Sequence, residues 1–229
     1  MIDVVYIVRP GEQNEELRYS LRSLGNVPHG DVWIAGHRPD WVTGVQHLFT
    51  PQQDPTRFKY ENATALLCDI AERGPDRFVL MNDDMFCLQR ENAFPRPAHR
   101  GSLLALARER PGNYGQMLRS TAQLLAEGGI AHPLAYTLHK PLVMSRVGLK
   151  LALEHGLSRR VGAERLSWRS LYGNLMRLGG AVEEDVKVHG DGAPPAGSWI
   201  STSDCSFKYH KVGRLVRAAL PNTSPFEQL

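Results

Sequence analysis

The run Phe78-Val79-Leu80-Met81 is apolar and of strand length, and it ends abruptly in Asn82-Asp83-Asp84 before turning apolar again at Met85-Phe86. A buried strand seldom ends in two carboxylates unless something compensates their charge, because an unpaired buried carboxylate is very costly. A divalent cation is one compensator, and a cation held by carboxylates at a strand end suits a nucleotide diphosphate. A solvent-facing Asp-Asp turn is the other reading of the same residues.

The pattern around this run sets the fold class. A strand over 3–8 leads through Arg9-Pro10-Gly11 into a helix over 14–24, with Leu17, Leu21 and Leu24 on one face and Asn14 placed to cap it. Residues 31–36 read as a second strand and 45–49 as a short third. A helix over 60–73 stops at Gly74-Pro75, and strand 77–81 follows. This order predicts an α/β fold, a mainly parallel central sheet flanked by helices. Binding groups gather at the carboxyl ends of such strands. Strands 3–8 and 77–81, if neighbours, bring Arg9 and Asp83/Asp84 to one edge.

The second half is predicted to be more helical. Helices are expected over 102–110, capped by Ser102, and over 114–127, then near 141–155, 163–178 and 208–219. Residues 133–138 read as extended, 190–198 as a loop and 199–202 as a last strand. No boundary is sharp enough to split the chain, which predicts one domain over 1–229.

Composition excludes some classes. With 229 residues the chain can bury a sizeable core, and 42% hydrophobic against 22% charged residues is ordinary for a soluble protein. No stretch approaches the roughly 18 apolar residues of a membrane span. The first residues enter a strand without the basic flank of a signal peptide. Cys68, Cys87 and Cys205 are odd in number and lack metal-type spacing, which fits a reducing compartment. The expectation is a soluble, cytoplasmic protein. A net charge of +3 and a pI of about 8.8 are compatible with an anionic substrate. Basic residues cluster at Arg90, Arg96, His99 and Arg100, and at Arg159, Arg160, Arg165 and Arg169, either as solvated faces or as anion-handling surfaces.

Several blocks together resemble the Stealth family of sugar-phosphate transferases, whose core is glycosyltransferase-A-like. Ile2-Asp3-Val4-Val5-Tyr6 is similar to the family's opening strand, and Glu16-Leu17-Arg18-Tyr19-Ser20-Leu21-Arg22-Ser23-Leu24 to its second block. Asp31-Val32-Trp33-Ile34, Pro39-Asp40-Trp41-Val42 and the Asn82-Asp83-Asp84 block follow in the family's order. His139-Lys140-Pro141, Arg165-Leu166-Ser167, Ser203-Asp204 and Ser224-Pro225-Phe226-Glu227 resemble the later ones. The chain departs at Arg9-Pro10-Gly11, at Trp168-Arg169 and at Ser203. There the family's acidic or polar residues are missing, and Arg9 and Arg169 are added.

The resemblance implies a glycosyltransferase-A-like domain, with a nucleotide-sugar half over about 1–100 and an acceptor half over about 101–229. It implies a metal-dependent transferase with a nucleotide-sugar donor, and the departures open the site to plain transfer of the sugar to an acceptor hydroxyl. Transfer of a sugar-1-phosphate is the alternative, and a non-catalytic nucleotide-sugar-binding module is a third reading. Asp83, Asp84 and Asp204 are then the ligands of Mg²⁺ or Mn²⁺. His139 is a candidate base, and Arg165 and Arg169, four apart on a predicted helix, could stabilise the leaving diphosphate, with Asp84 completing the catalytic set. Asp3, Tyr6, Arg9, Arg18 and Asn82 would line the donor site. A structural role for Arg18, a core histidine at 139 and a helix cap at Asp204 are the plainer readings. The acceptor stays open among a modified DNA base, a protein and a glycan, and the oligomeric state is not legible.

Overall fold

The computed structural model describes residues 1–11, 13–159 and 165–228. In chain order, β1 (Asp3–Val8), α1 (Glu15–Ser23), β2 (Val32–Gly36), β3 (Gln46–Leu48), α2 (Lys59–Arg73), β4 (Arg77–Asn82) and β5 (Met85–Cys87) come first. Then follow β6 (Ala98–His99), α3 (Leu103–Glu109), α4 (Gly112–Glu127), β7 (Leu142–Ser145), α5 (Arg146–Arg159) and α6 (Trp168–Leu175). The last elements are β8 (Ala181–Val182), β9 (Lys187–Val188), β10 (Trp199–Thr202), α7 (Asp204–Tyr209) and α8 (Lys211–Ala219).

The chain divides into two compact units. One comprises Met1–Pro95, His139–Met144 and Val186–Leu229; the other comprises Arg96–Leu138 and Ser145–Asp185.

In the first unit a five-stranded sheet has the order β3-β2-β1-β4-β7. β1 runs parallel to β2 on one side, Val4 opposite Val32, and to β4 on the other, Ile7 opposite Asn82. Val4, Val5, Tyr6 and Val8 are buried on both faces of the sheet, which explains why these strands read as apolar runs rather than alternating ones. α1 covers the sheet with Leu17 and Leu21, and Asn14 caps it by accepting a hydrogen bond from the Leu17 N–H at 3.1 Å. The fold is thus mixed α/β, a central sheet flanked by helices.

A three-stranded sheet, β5-β10-β9, extends this unit. β10 is antiparallel to β5 and parallel to β9. Phe86 of β5 stacks on Phe207 of α7 with ring centroids 5.6 Å apart, and Val188, Ile200, Val212 and Val216 close the small core around them. The carboxyl-terminal segment is pinned back onto α1. The Arg22 guanidinium donates to both oxygens of Glu227 at 2.8 and 2.9 Å, and the Gln228 N–H donates to the Trp41 carbonyl at 2.7 Å.

The second unit packs α3 with α4 and α5 with α6 beside a two-stranded ladder of β6 and β8. Asn174 fixes the extended 133–138 stretch by accepting from the Leu134 N–H and donating to its carbonyl, each at 2.8 Å. Ser102 caps α3, as its sequence position predicts, accepting from Ala105 at 3.3 Å.

Three sequence expectations need correction. Residues 142–145 of the predicted helix near 141–155 form β7, because Leu142-Val143-Met144 is a short apolar run that the sheet captures, and the helix begins only at Arg146. The helix near 208–219 is two helices, α7 and α8, broken at His210, whose backbone is extended. The helix near 163–178 starts at Trp168, positions 163 and 164 lying outside the described residues. Among the described residues no helix is long and apolar enough to cross a membrane.

Candidate functional site

Because β1 and β4 are parallel neighbours, their carboxyl ends present Arg9 and Asp83 to the same edge. Gly36 makes room there. It ends β2 with φ +102°, and a Cβ at this position would lie 2.5 Å from the Val8 carbonyl. A cleft of about 520 Å³ opens at this edge, lined by Arg9, Asn14, Glu16, Asp83, Asp204 and Phe207 among others. A smaller cavity of about 120 Å³ shares Arg9 and Asp83 and adds Asn82, Asn62 and Lys59. All of these residues belong to the first unit.

Asp83 is buried, and the Asn14 amide donates to its Oδ2 at 2.9 Å. One side chain therefore both starts α1 and holds the carboxylate. Burial pushes the Asp83 carboxyl up to about 6 and the neighbouring Asp84 adds to the rise, while the Asn14 bond and the Arg9 charge oppose it. Asp84 is also buried, but it is already paired. Lys187 of β9 donates to its Oδ2 at 2.7 Å, whereas its Oδ1 is buried with no hydrogen-bond partner among the described residues. Arg9 reaches Asp204 at 3.2 Å on the exposed side of the cleft.

Glu16 is the site residue that sequence reasoning missed. The Thr202 hydroxyl donates to its Oε1 at 2.6 Å. Burial raises its carboxyl to about 8 despite that bond, and the charges of Asp83, Asp84 and Asp204 push the same way. It therefore holds its proton at neutral pH, facing the cleft. A signal existed in the sequence. Glu16, Ser20 and Ser23 lie on the buried side of α1 with Leu17 and Leu21, so polar residues accompany the apolar stripe inward. Lys187 was missed too, for it stands on a two-residue strand that has no legible period.

The other predicted residues fall in different places. Arg9, Asn82, Asp83 and Asp204 line the two cavities. Asp3 lies at the amino end of β1, the edge opposite the cleft, where its Oδ1 accepts from the Asp31 N–H at 3.0 Å. Tyr6 is wholly buried and shares a hydrogen bond of 3.0 Å with Ser20, so it is a core residue rather than a ribose contact. Arg18 stacks over Trp41 at 4.4 Å and reaches Glu227 at 3.4 Å, which makes it a structural residue. His139 is half-buried in a bend before β7, in the first unit. Arg165 and Arg169 belong to the second unit, and Arg165 precedes α6, so the helical i, i+4 spacing does not apply to them.

Among the described residues no group of three or more His, Cys, Asp or Glu side chains is arranged to hold a metal ion. Asp204, the third expected ligand, lies on the exposed side of the cleft and is ion-paired with Arg9. The remaining donors suit a different kind of site. Mg²⁺ is commonly held by one or two carboxylates together with substrate phosphates, not by an all-protein cage. Asp83 at the cleft is a hard oxygen donor of that kind, whereas Asp84 beside it in the chain lines neither cavity and keeps a buried Oδ1 without a hydrogen-bond partner among the described residues.

No family model matches the chain, and no curated protein matches it either.

Proposed function

We propose that the chain is a glycosyltransferase-A-like transferase that takes a nucleotide sugar and moves the sugar to an acceptor hydroxyl. The observation that carries this reading is Arg9 and a buried acidic pair at the carboxyl edge of two parallel neighbours, beside a cleft of about 520 Å³. The ordered blocks resembling Stealth transferases support the donor class.

In such a transfer the bond between the anomeric carbon and the diphosphate oxygen breaks, and negative charge builds on the departing diphosphate. Arg9 can bind phosphate oxygens with its planar fork once Asp204 yields it. Asp83 and Asp84 would hold Mg²⁺ or Mn²⁺, which when bound supplies positive charge to the diphosphate. Lys187 keeps Asp84 from presenting a second uncompensated charge. Glu16 lines the cleft with its proton held and is the group we assign to donate a proton to the departing diphosphate oxygen. His139, on the strength of the resemblance alone, is the candidate base that takes the proton of the acceptor hydroxyl.

The test is product analysis after incubation with a panel of nucleotide sugars, Mg²⁺ or Mn²⁺, and hydroxyl acceptors of three kinds: a glycan, a protein and hydroxymethylated DNA. Release of a nucleoside diphosphate is the expected result. Release of a nucleoside monophosphate would replace it with sugar-1-phosphate transfer, since a different bond has then broken. Tight nucleotide-sugar binding without any turnover would leave a binding module.

A further inference from the structure

A second constellation of reactive side chains lies outside the acidic site. Cys205, in the first turn of α7, places its Sγ 3.8 Å from Nε2 of His210, at the break between α7 and α8. The other ring nitrogen, Nδ1, lies 3.2 Å from Oδ1 of Asp191, in the loop before β10. The same carboxylate oxygen accepts the Lys211 N–H at 3.5 Å, which fixes Asp191 against the start of α8. The His210 hydrogen bond holds the Asp191 carboxyl below its ordinary range.

The order is nucleophile, base and orienting carboxylate. An imidazole that donates Nδ1–H to a carboxylate presents its Nε2 lone pair to the thiol, and that nitrogen can take the thiol's proton. The other two thiols lack this setting. Cys87 is buried, donates to the Gln89 carbonyl at 3.1 Å and is pushed up to about 12 by burial. Cys68 is half-buried and raised by burial and by the nearby Asp69 and Glu72. Cys205 is exposed.

We propose that Cys205 is a reactive thiol, assisted by His210 and Asp191, that attacks low-molecular-weight disulfides. The Cys205 sulfur attacks one sulfur of the disulfide as its proton passes to His210 Nε2. The disulfide bond breaks, a mixed disulfide forms on Cys205, and the other half leaves as a thiolate that regains the proton from His210. The disulfide is itself the oxidant, so the step balances without another. Cys205 sits between Asp204 and Phe207, both of which line the acidic cleft. Cys205 itself does not line the cleft, but it follows Asp204 directly, so an adduct on it perturbs the Arg9–Asp204 pair, which makes the thiol a brake on donor binding. That consequence rests on the proposed donor reading; the reactivity of the thiol does not.

The experiment treats the full chain with limiting oxidised glutathione at one fixed pH and follows each cysteine by peptide mass spectrometry. Cys205 is expected to react first, and His210→Asn to slow it by about tenfold, since that variant has no imidazole to take the thiol's proton. Asp191→Asn should slow it less, with Cys68 unchanged in both variants. Protection of Cys87 reports that each variant is folded. A Cys205 rate unaffected by His210→Asn in a folded sample would overturn the proposal. Nucleoside diphosphate binding is then compared with and without the adduct. Weaker binding of the modified chain supports the brake and equal binding overturns it, whereas no binding by the unmodified chain counts against the donor reading instead.

Discussion

Replacing Arg22 with methionine will destabilise the chain by about 3–5 kcal/mol, the usual cost of removing one partner from a buried ion pair. The Glu227 side chain has 0% exposure and that of Arg22 11%, so neither charge is eased by water once the other is gone. Arg18 at 3.4 Å and the Ser224 N–H at 2.9 Å would still touch the stranded carboxylate, which places the effect toward the low end of that range. Methionine keeps the apolar stem, so the loss reports the charge rather than packing. The pair also carries a pH signature. Burial works against ionisation of Glu227, but the bonds from Arg22 and Ser224 outweigh it and hold the carboxyl below its ordinary value. Its stabilisation is present above the unfolded value near 4.5 and is lost as pH falls through the folded one. Urea denaturation of Arg22→Met, Glu227→Gln and the double variant will decide this. The double variant should recover a large part of the single loss. A loss under about 1 kcal/mol, typical of a surface pair, would mean that the clamp is not buried in solution.

Glu16 should produce the opposite pH dependence. Its folded carboxyl keeps a proton up to about 8, whereas the unfolded chain releases it near 4.5. Between these values the folded state binds more protons than the unfolded one, so stability falls as pH rises through the window. Asp83 adds a smaller fall between 3.8 and about 6. Glu16→Gln keeps an oxygen to accept the Thr202 hydroxyl but has nothing to ionise. It should therefore flatten the curve and be more stable than the parent at pH 8 by on the order of 2 kcal/mol. Thermal melts of both proteins from pH 5 to pH 8 are the check. Parallel curves would show that Glu16 is ionised in the folded chain and would remove it as a proton carrier.

Much of the architecture around the site was legible. The apolar runs of β1 and β4 and the Leu17-Leu21-Leu24 face of α1 are signals of three to six residues with a clear period or a clear end. The capping residues Asn14 and Ser102 also fell where they were expected. The parallel order followed from them, and with it the meeting of Arg9 and Asp83. The same direction of travel puts Asp3 at the wrong edge, a consequence available from the sequence once β1 was assigned. Other features were hidden for physical reasons. β5 and β9 are three and two residues long, too short for periodicity to separate strand from turn. The Lys187–Asp84 pair joins residues 103 apart, and only the second sheet brings them together. Arg18 carries a motif-like spacing, yet its partners come from Trp41 and from the far end of the chain. Local pattern fixes which face a side chain takes and leaves open which distant residue will meet it.

On the proposed function, the edge holding Arg9 and Asp83 binds a nucleoside diphosphate. The direct measurement is a thermal melt of the parent, Arg9→Ala and Asp83→Asn proteins with nucleoside diphosphates, each with and without Mg²⁺ or Mn²⁺. A ligand present at about a hundred times its Kd adds about 2.7 kcal/mol, which for a chain of this size raises Tm by several degrees. That rise is expected with one nucleotide, only in the presence of the metal, and both substitutions should abolish it. No rise with any nucleotide in a folded sample, or an equal rise in the Asp83→Asn protein, would contradict it.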